Sequence, residues 1–455
     1  MKLRSVTMAF IYAASVSAQP LPVDDGYRGI WYYNQPSKDP YKYKYSGGFA
    51  TYPQQHSPIA IYSKQANKTF FVYGGTVKGK RELLHMVSYY DHATGQVPRP
   101  RILMNKQTDD AHDNPVMAID DQGYIWVFSP AHGTSRPAYI SRSRKPYSID
   151  EFEQVDKTNF SYPQPHFLPG QGFLFLHTRY RDGGRSLFWM MSRDGRSWTE
   201  PQLLSRFDLG HYQISLSQGK RVATAFNYHP KPIGLNARTN LYYAETSDMG
   251  KTWLSVDGTP LRAPLSDRNN PALVDDFQAR GELVYLKDLQ FDSAGRPVIL
   301  YLTSRGYESG PKNDPRRLET ARWTGSKWEI RPVVRTDHNY DYASFYVEPG
   351  GVWRVIGTTL PGPQPYGTGG EVAMYVSRDQ GASWQMKQIT RNSKLNHNYP
   401  RRPWNAHPAF YALWADGNAF EPSESSLYFT DREGTAVWRL PVSMKRDFER
   451  PQKVH

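Results

Sequence analysis

The sequence predicts an all-β chain folded as a seven-bladed β-propeller, and three observations carry that prediction. The 455 residues include 14% aromatics with 35 Gly and 35 Pro, a composition that favours strands and turns. No window sustains an apolar stripe of period 3.6 long enough for a major helix. Seven times the chain repeats one pattern: a polar or aromatic residue, often beside Pro, opens an apolar strand, and a Gly or Asp turn leads to a second one.

Taken in order, residues 1–18 stand apart. Lys2 and Arg4 precede an apolar run from Val6 to Ala14, and Val16-Ser17-Ala18 supplies small residues for cleavage, which together read as a secretory signal peptide. Residues 19–455 then form the propeller as one domain. No later run is long enough to span a bilayer, so the expectation is a soluble, secreted or periplasmic monomer. The chain has no cysteine, which excludes disulfides and thiolate metal sites and leaves stability to the packing of a large core.

Gly26 to Tyr33 reads as a strand and is followed by a polar loop to about Gly48. The openings come next. His56 precedes Ile59–Tyr62, His112 precedes Val116–Ile119, Tyr162 precedes Gly172–Leu176, and His211 precedes Arg221–Phe226. Asp288 precedes Arg296–Tyr301, Tyr342 precedes Val352–Ile356, and His407 precedes Phe410–Leu413. The spacing, roughly 50 to 75 residues, suits one four-stranded blade each. Asn396 to Arg402 reads as a basic aromatic loop near the last opening.

The formal charge is +13. Such a surplus points to a polyanionic partner or a solvated basic surface. Because the basic residues are spread among loops and not gathered in an arm or helix, an acidic polysaccharide is expected and nucleic acid is not.

Three turns echo each other: Ser192–Trp198, Thr246–Trp253 and Ser377–Trp384, each with Asp, Gly and a closing Trp. They resemble the Asp-box, or BNR, repeats of sialidase-type propellers, in which Asp and Gly build a hairpin turn and Trp packs between blades. That motif speaks for architecture and not for chemistry. The inner strand of each blade lines a central channel. Openings in phase would therefore gather His56, His112, Tyr162, His211, Asp288, Tyr342 and His407 in one polar funnel, the default binding site.

The runs His85–His92, Ala111–Pro115, Asn159–Pro163 and Phe226–Pro230 resemble the BNR-repeat-containing family, whose members include seven-bladed polysaccharide lyases that act on ulvan and on rhamnosyl-glucuronate ends. The resemblance implies a site of two histidines about twenty positions apart, then a tyrosine, then an arginine sixteen or seventeen further on. His92 and His112, with Tyr162 and Arg179, have those intervals, and the two imidazoles are expected to face each other across the funnel. A lyase removes the C5 proton of a uronate and expels the C4 oxygen. Arg179 suits the carboxylate, a neutral histidine suits the base, and Tyr162 suits the acid, or both steps if the leaving groups share a face. Asn114, His211, Tyr228, His229, Arg238 and His407 are expected to bind substrate.

The chemistry requires no cofactor. Lyases of this kind hold structural metals, so Ca²⁺ or Zn²⁺ on His with Asp or Asn oxygens is an expectation of the resemblance, with no ligand set assigned. Two other functions fit the same fold: a sialidase-like glycoside hydrolase, which would want paired carboxylates in the funnel, and a non-catalytic glycan-binding propeller.

Overall fold

Seven antiparallel sheets of four to six strands, each built on an up-and-down meander, succeed one another along the chain from residue 60 to residue 453. The computed structural model describes residues 19–181 and 183–455, so the signal-peptide expectation for residues 1–18 lies outside the described residues. Among these residues the only helical elements are five short 3₁₀ turns. Among the described residues no helix is long and apolar enough to cross a membrane.

The first strands of the seven blades are Ala60–Ser63, Val116–Ile119, Ser161–Leu168, Gln213–Gln218, Leu283–Phe291, Ala343–Val347 and Asn396–Arg401. Each touches the first strand of a neighbouring blade, so together they form the innermost ring. Polar side chains on this ring bond across blades: Gln164 donates to the carbonyls of Gln55 and Gln213 at 2.9 and 2.8 Å.

The openings are less uniform than the repeat suggests. In blades 1 and 2 they stand just before the first strand, as expected. Tyr162, Asp288 and the residues after Asp341 lie on or at the first strand itself, and the apolar run that follows is the second strand. In blade 7 the opening is misplaced. Asn396–Arg401, which reads as a loop, is the inner strand, and His407 lies in the loop between it and the second strand, Ala412–Gly417. The run hides its nature because its polar groups are satisfied by the channel wall: Asn396 bonds the carbonyls of Gln364 and Thr368, and Arg401 those of Pro53, Gln54 and His56.

A second correction concerns the N-terminal segment. Trp31–Pro36 is a strand, but Tyr43–Gly48 is its antiparallel partner and not loop. This hairpin and its flanks stitch blade 7 to blade 1: Tyr27 N donates to Pro441 O at 2.7 Å, and Ile30 N to Gly74 O at 3.1 Å. Phe448–Glu449 also pairs with Val97–Pro98, and Ile61 bridges Trp404. The ring is thus closed by both ends of the chain.

The core lies between blades. Trp126, Phe128, Phe173 and Phe175 are buried where blade 2 meets blade 3, with Phe128 and Phe175 ring centroids 4.9 Å apart. Burying each such side chain stabilises by about 1.5–3 kcal/mol.

The three Asp-box turns all join a third strand to a fourth. Asp194 Oδ1 accepts from the amides of Arg196 and Ser197 at 2.8 and 2.9 Å, and Asp379 accepts from Ser383 in the same way. Gly195 has φ +72°, and a Cβ there would stand 2.3 Å from the Trp126 ring of the preceding blade, so only glycine fits.

Candidate active site

The entry ends of the inner strands and the N-terminal hairpin meet in a cluster of histidines, tyrosines and arginines. Its anchor is the 3₁₀ turn Ala111–Asp113, which follows the last strand of blade 1. Asp110 caps this turn by accepting from His112 N at 3.0 Å. The same carboxylate receives two imidazoles, His112 Nδ1 at 2.6 Å and His132 Nδ1 at 2.7 Å, and the two rings stack with centroids 4.0 Å apart.

With Nδ1–H given to Asp110, His112 Nε2 accepts from the Tyr52 hydroxyl at 2.6 Å. His132 Nε2 has no partner among the described residues, and this ring is partly exposed. Burial first, then the neighbouring His132, lowers His112 to about 4, so it is neutral at pH 7. Burial would raise Asp110, but the two imidazoles hold it well below the usual carboxylate range. Beneath it, buried Asp113 pairs with Arg136 at 2.9 Å and accepts from His132 N at 2.7 Å, which clamps the His132 loop to the turn.

Tyr162 enters from blade 3. It has φ +50° at a register shift between Ser161 and Gln164, a bulge that re-aims the side chain. Its hydroxyl lies 3.3 Å from that of Tyr212, the residue before the inner strand of blade 4. The Arg185 guanidinium stands 4.3 Å from the Tyr212 ring, 4.9 Å from Tyr180 and 5.0 Å from Tyr162. Gly210 makes this approach possible. At φ +105° it lies so close that a Cβ would stand 1.9 Å from Arg185 O.

Arg238 closes the far side, 5.0 Å from the Tyr212 ring and bonded to Tyr340 Oη at 2.9 Å. Neither Arg185 nor Arg238 has a carboxylate within ion-pair distance among the described residues. Arg185 Nε and Nη1 and His229 Nε2 are buried without partners. Burial pushes the Tyr212 phenol up, but Arg185 and Arg238 outweigh it and bring the phenol below its ordinary value. Burial, with Tyr180 and Tyr212 beside it, pushes Tyr162 well above.

The cluster therefore gathers His112, Tyr162, His229 and Arg238 from the expected residues. The others go elsewhere. His92 and His112 do not face each other. His92 lies past the far end of the strand Leu84–Asp91, where other blades carry Asp-box turns, and seven residues at about 3.3 Å each separate it from His85 at the site end. There it bonds Thr69 at 2.8 Å and packs on His407, ring centroids 3.8 Å apart, so His407 is equally remote from the funnel cluster.

Arg179 bonds His177 at 3.3 Å and faces the charges of Glu200 and Asp156; the arginine beside the tyrosines is Arg185. Tyr228 points to the other face of its strand and bonds Gln278. His211 is held by Asn227 O at 2.9 Å and Ser205 Oγ at 3.1 Å, and Asn114 donates to the carbonyls of Phe49 and Tyr52 at 2.8 and 2.7 Å; both shape the floor.

Asp110, His132, Tyr212 and Arg185 carry no sequence signal strong enough to single them out. The nearest is the interval of twenty residues from His112 to His132, equal to that from His92 to His112. Asp110, His112 and His132 also form a donor set for a divalent cation, with ligand atoms within 4.8 Å of one another. Their N–O spacings of 2.6 and 2.7 Å are those of hydrogen bonds, however, whereas two ligands about 2.0–2.1 Å from one Zn²⁺ stand about 3.3 Å apart. As arranged, these groups share protons.

The profile of the BNR repeat-containing family matches residues 50–336, more than half of the chain. The chain belongs to that family. Among curated relatives of this chain, an ulvan lyase of Nonlabens ulvanivorans is 24% identical over 343 residues, 65% of this chain and 70% of the relative. An ulvan lyase of Pseudoalteromonas sp. (strain PLSV) is 24% identical over 327 residues, 60% of this chain and 64% of the relative. The fold is similar to that of a solved PL25 ulvan lyase, with TM-score 0.70, 17% identity and coverage of 89% of this chain and 95% of the other. One structure of that lyase holds a -[GlcA(1-4)Rha3S]- ligand.

Proposed function

We propose that this protein is a polysaccharide lyase that cleaves a uronate-containing glycan of the ulvan type by β-elimination. The observation that carries the reading is a pair of tyrosines, 3.3 Å apart, whose surroundings push them in opposite directions. Two titratable groups driven apart in this way divide into acid and base. Tyr212, drawn down by two guanidiniums, takes the C5 proton; Tyr162, kept protonated by burial, gives its proton to the departing C4 oxygen.

Arg185 supplies the third requirement. Its unpartnered Nε and Nη1 meet the uronate carboxylate and stabilise the charge that develops when the C5 proton leaves. His132, oriented through Asp110, presents Nε2 as an acceptor for a sugar hydroxyl. After the bond breaks, the C5 proton is on Tyr212 and Tyr162 is a phenolate, and a direct transfer across 3.3 Å restores both. Because both oxygens attack from one side, C5–H and C4–O leave from the same face, the geometry of glucuronate and not of its C5 epimer.

The likeness to ulvan lyases supports this class of substrate. The cluster's carboxylates argue against hydrolysis, since Asp110 and Asp113 are both committed to cations or imidazoles and neither is free to act as a nucleophile. Export is part of the proposal, on the strength of residues 1–18. Incubation with ulvan and other uronate glycans, followed by ultraviolet absorbance of the unsaturated uronate, tests it. New reducing ends without that absorbance would assign a hydrolase, and neither signal would remove the enzymatic reading.

A further inference from the structure

The cluster leaves one basic feature unused. The hairpin turn after Lys68–Gly75 reads Thr76-Val77-Lys78-Gly79-Lys80-Arg81, closed by Lys80 N donating to Val77 O at 2.9 Å and by the Thr76 hydroxyl bonded to Lys80 O at 2.6 Å. It lines a cavity of about 490 Å³ at the seam between blades 1 and 7, with Arg28, Trp31 and Glu424 on its other walls.

This cavity stands on the same face of the ring as the cluster and next to it. Leu83 N donates to Thr108 O at 2.7 Å, and Arg81 Nη2 pairs with Asp109 at 2.8 Å, the residue before Asp110. Arg81 is fixed further by stacking 4.6 Å over Trp31 and 4.2 Å over Tyr33, and by its bond to Tyr33 Oη at 3.0 Å; Tyr33 follows Tyr32, which touches His112. Lys78 and Lys80 are exposed, and neither has a carboxylate within 4 Å among the described residues. Arg28 is neutralised by Asp24 and Asp25. Of the two exposed carboxylates on the cavity wall, Asp25 is taken by Arg28, which leaves Glu424 against the two free ammonium groups.

Two unpaired cations on a short, tied-down turn beside a site for a negatively charged sugar match a ligand whose charge repeats along its length. We propose that this seam groove is a second subsite, which holds an anionic unit of the same polysaccharide chain remote from the bond being cleaved. The subsite rests on the lyase reading for its substrate, and makes the enzyme favour long chains over short ones. Its contribution is electrostatic, so it weakens as salt screens exposed charges.

The test compares Lys78→Ala/Lys80→Ala with wild type on polymeric ulvan and on an ulvan tetrasaccharide. The expected result is a KM for the polymer raised about fivefold at low ionic strength, with kcat and the tetrasaccharide KM unchanged, and a difference that disappears in high salt. An unchanged polymer KM, or an equal effect on both substrates, overturns the proposal. Affinity electrophoresis in gels containing ulvan reads the groove without turnover. Lys78→Glu/Lys80→Glu should lose the retardation seen for wild type, and equal retardation overturns the subsite whether or not wild type cleaves the polymer.

Discussion

Tyr212 and Tyr162 are the same side chain in one cavity, and they differ because of what stands behind each ring. Arg185 and Arg238 both face Tyr212, whereas Tyr162 shares only Arg185 and has Tyr180 against it. Tyr212→Phe and Tyr162→Phe should each lower kcat by about 10²- to 10⁴-fold with little change in melting temperature. His92→Ala, remote from the cluster, should leave kcat at the wild-type level. Arg238→Gln removes one of the two cations that draw Tyr212 down, so its phenol rises. The ascending limb of the pH profile of kcat/KM should then move to higher pH, and an unmoved limb would take the base role from Tyr212.

At the scale of elements, two glycines separate structure from chemistry. Gly195 sits in an Asp-box turn far from the funnel, with φ +72° and the Trp126 ring 2.3 Å from where a Cβ would stand. Gly195→Ala should cost about 1–3 kcal/mol in chemical denaturation and leave kcat unchanged. Gly210, at φ +105°, lets the segment before Tyr212 lie against the backbone of Arg185. Gly210→Ala should cost about 3 kcal/mol or more and also lower kcat, because the strand that carries Arg185 and the residue that carries the base would be forced apart. The turn motif is readable in the sequence because its geometry is local; the need for Gly210 is not, because its partner is 25 residues away on another blade.

For the whole molecule, a ring without disulfides depends on buried groups that stay neutral. Burial lowers His166 and His177 to about 3 and His211 and His112 to about 4, against an ordinary value of 6.5. In the unfolded chain these imidazoles take up protons as pH falls below about 6.5, while in the fold they resist until about 3 to 4. The unfolded state binds more protons in that window, so stability is complete above about 6.5 and is lost as pH falls towards 4. Urea unfolding at a series of pH values should show stability falling between about pH 7 and about pH 4.5, by on the order of 2 kcal/mol for each of these histidines, and a flat profile would mean that they are not buried together.

The sequence by itself determined the architecture. Blade repeats and Asp-box turns are short-range patterns, since a strand, its turn and its hairpin partner lie within some 20 residues, and the alternation of apolar and polar residues reports them directly. It also put His112 and Tyr162 near one another, because both stand at openings of blades; the expectation of a lyase-type site around them came from the family resemblance. Only the tertiary structure decided which histidine partners His112 and which arginine faces the tyrosines. Both ends of a blade carry loops with polar residues, and an interval of twenty fits a residue at either end; His92 and His132 differ only in which end they reach. Arg179 and Arg185 flank the same turn of blade 3, yet the pleat sends the first to the outer charges of Asp156 and Glu200 and the second against three tyrosines from two blades. Orientation across a ring depends on how the blades close, and that closure joins residues 27 and 441, which no local pattern relates.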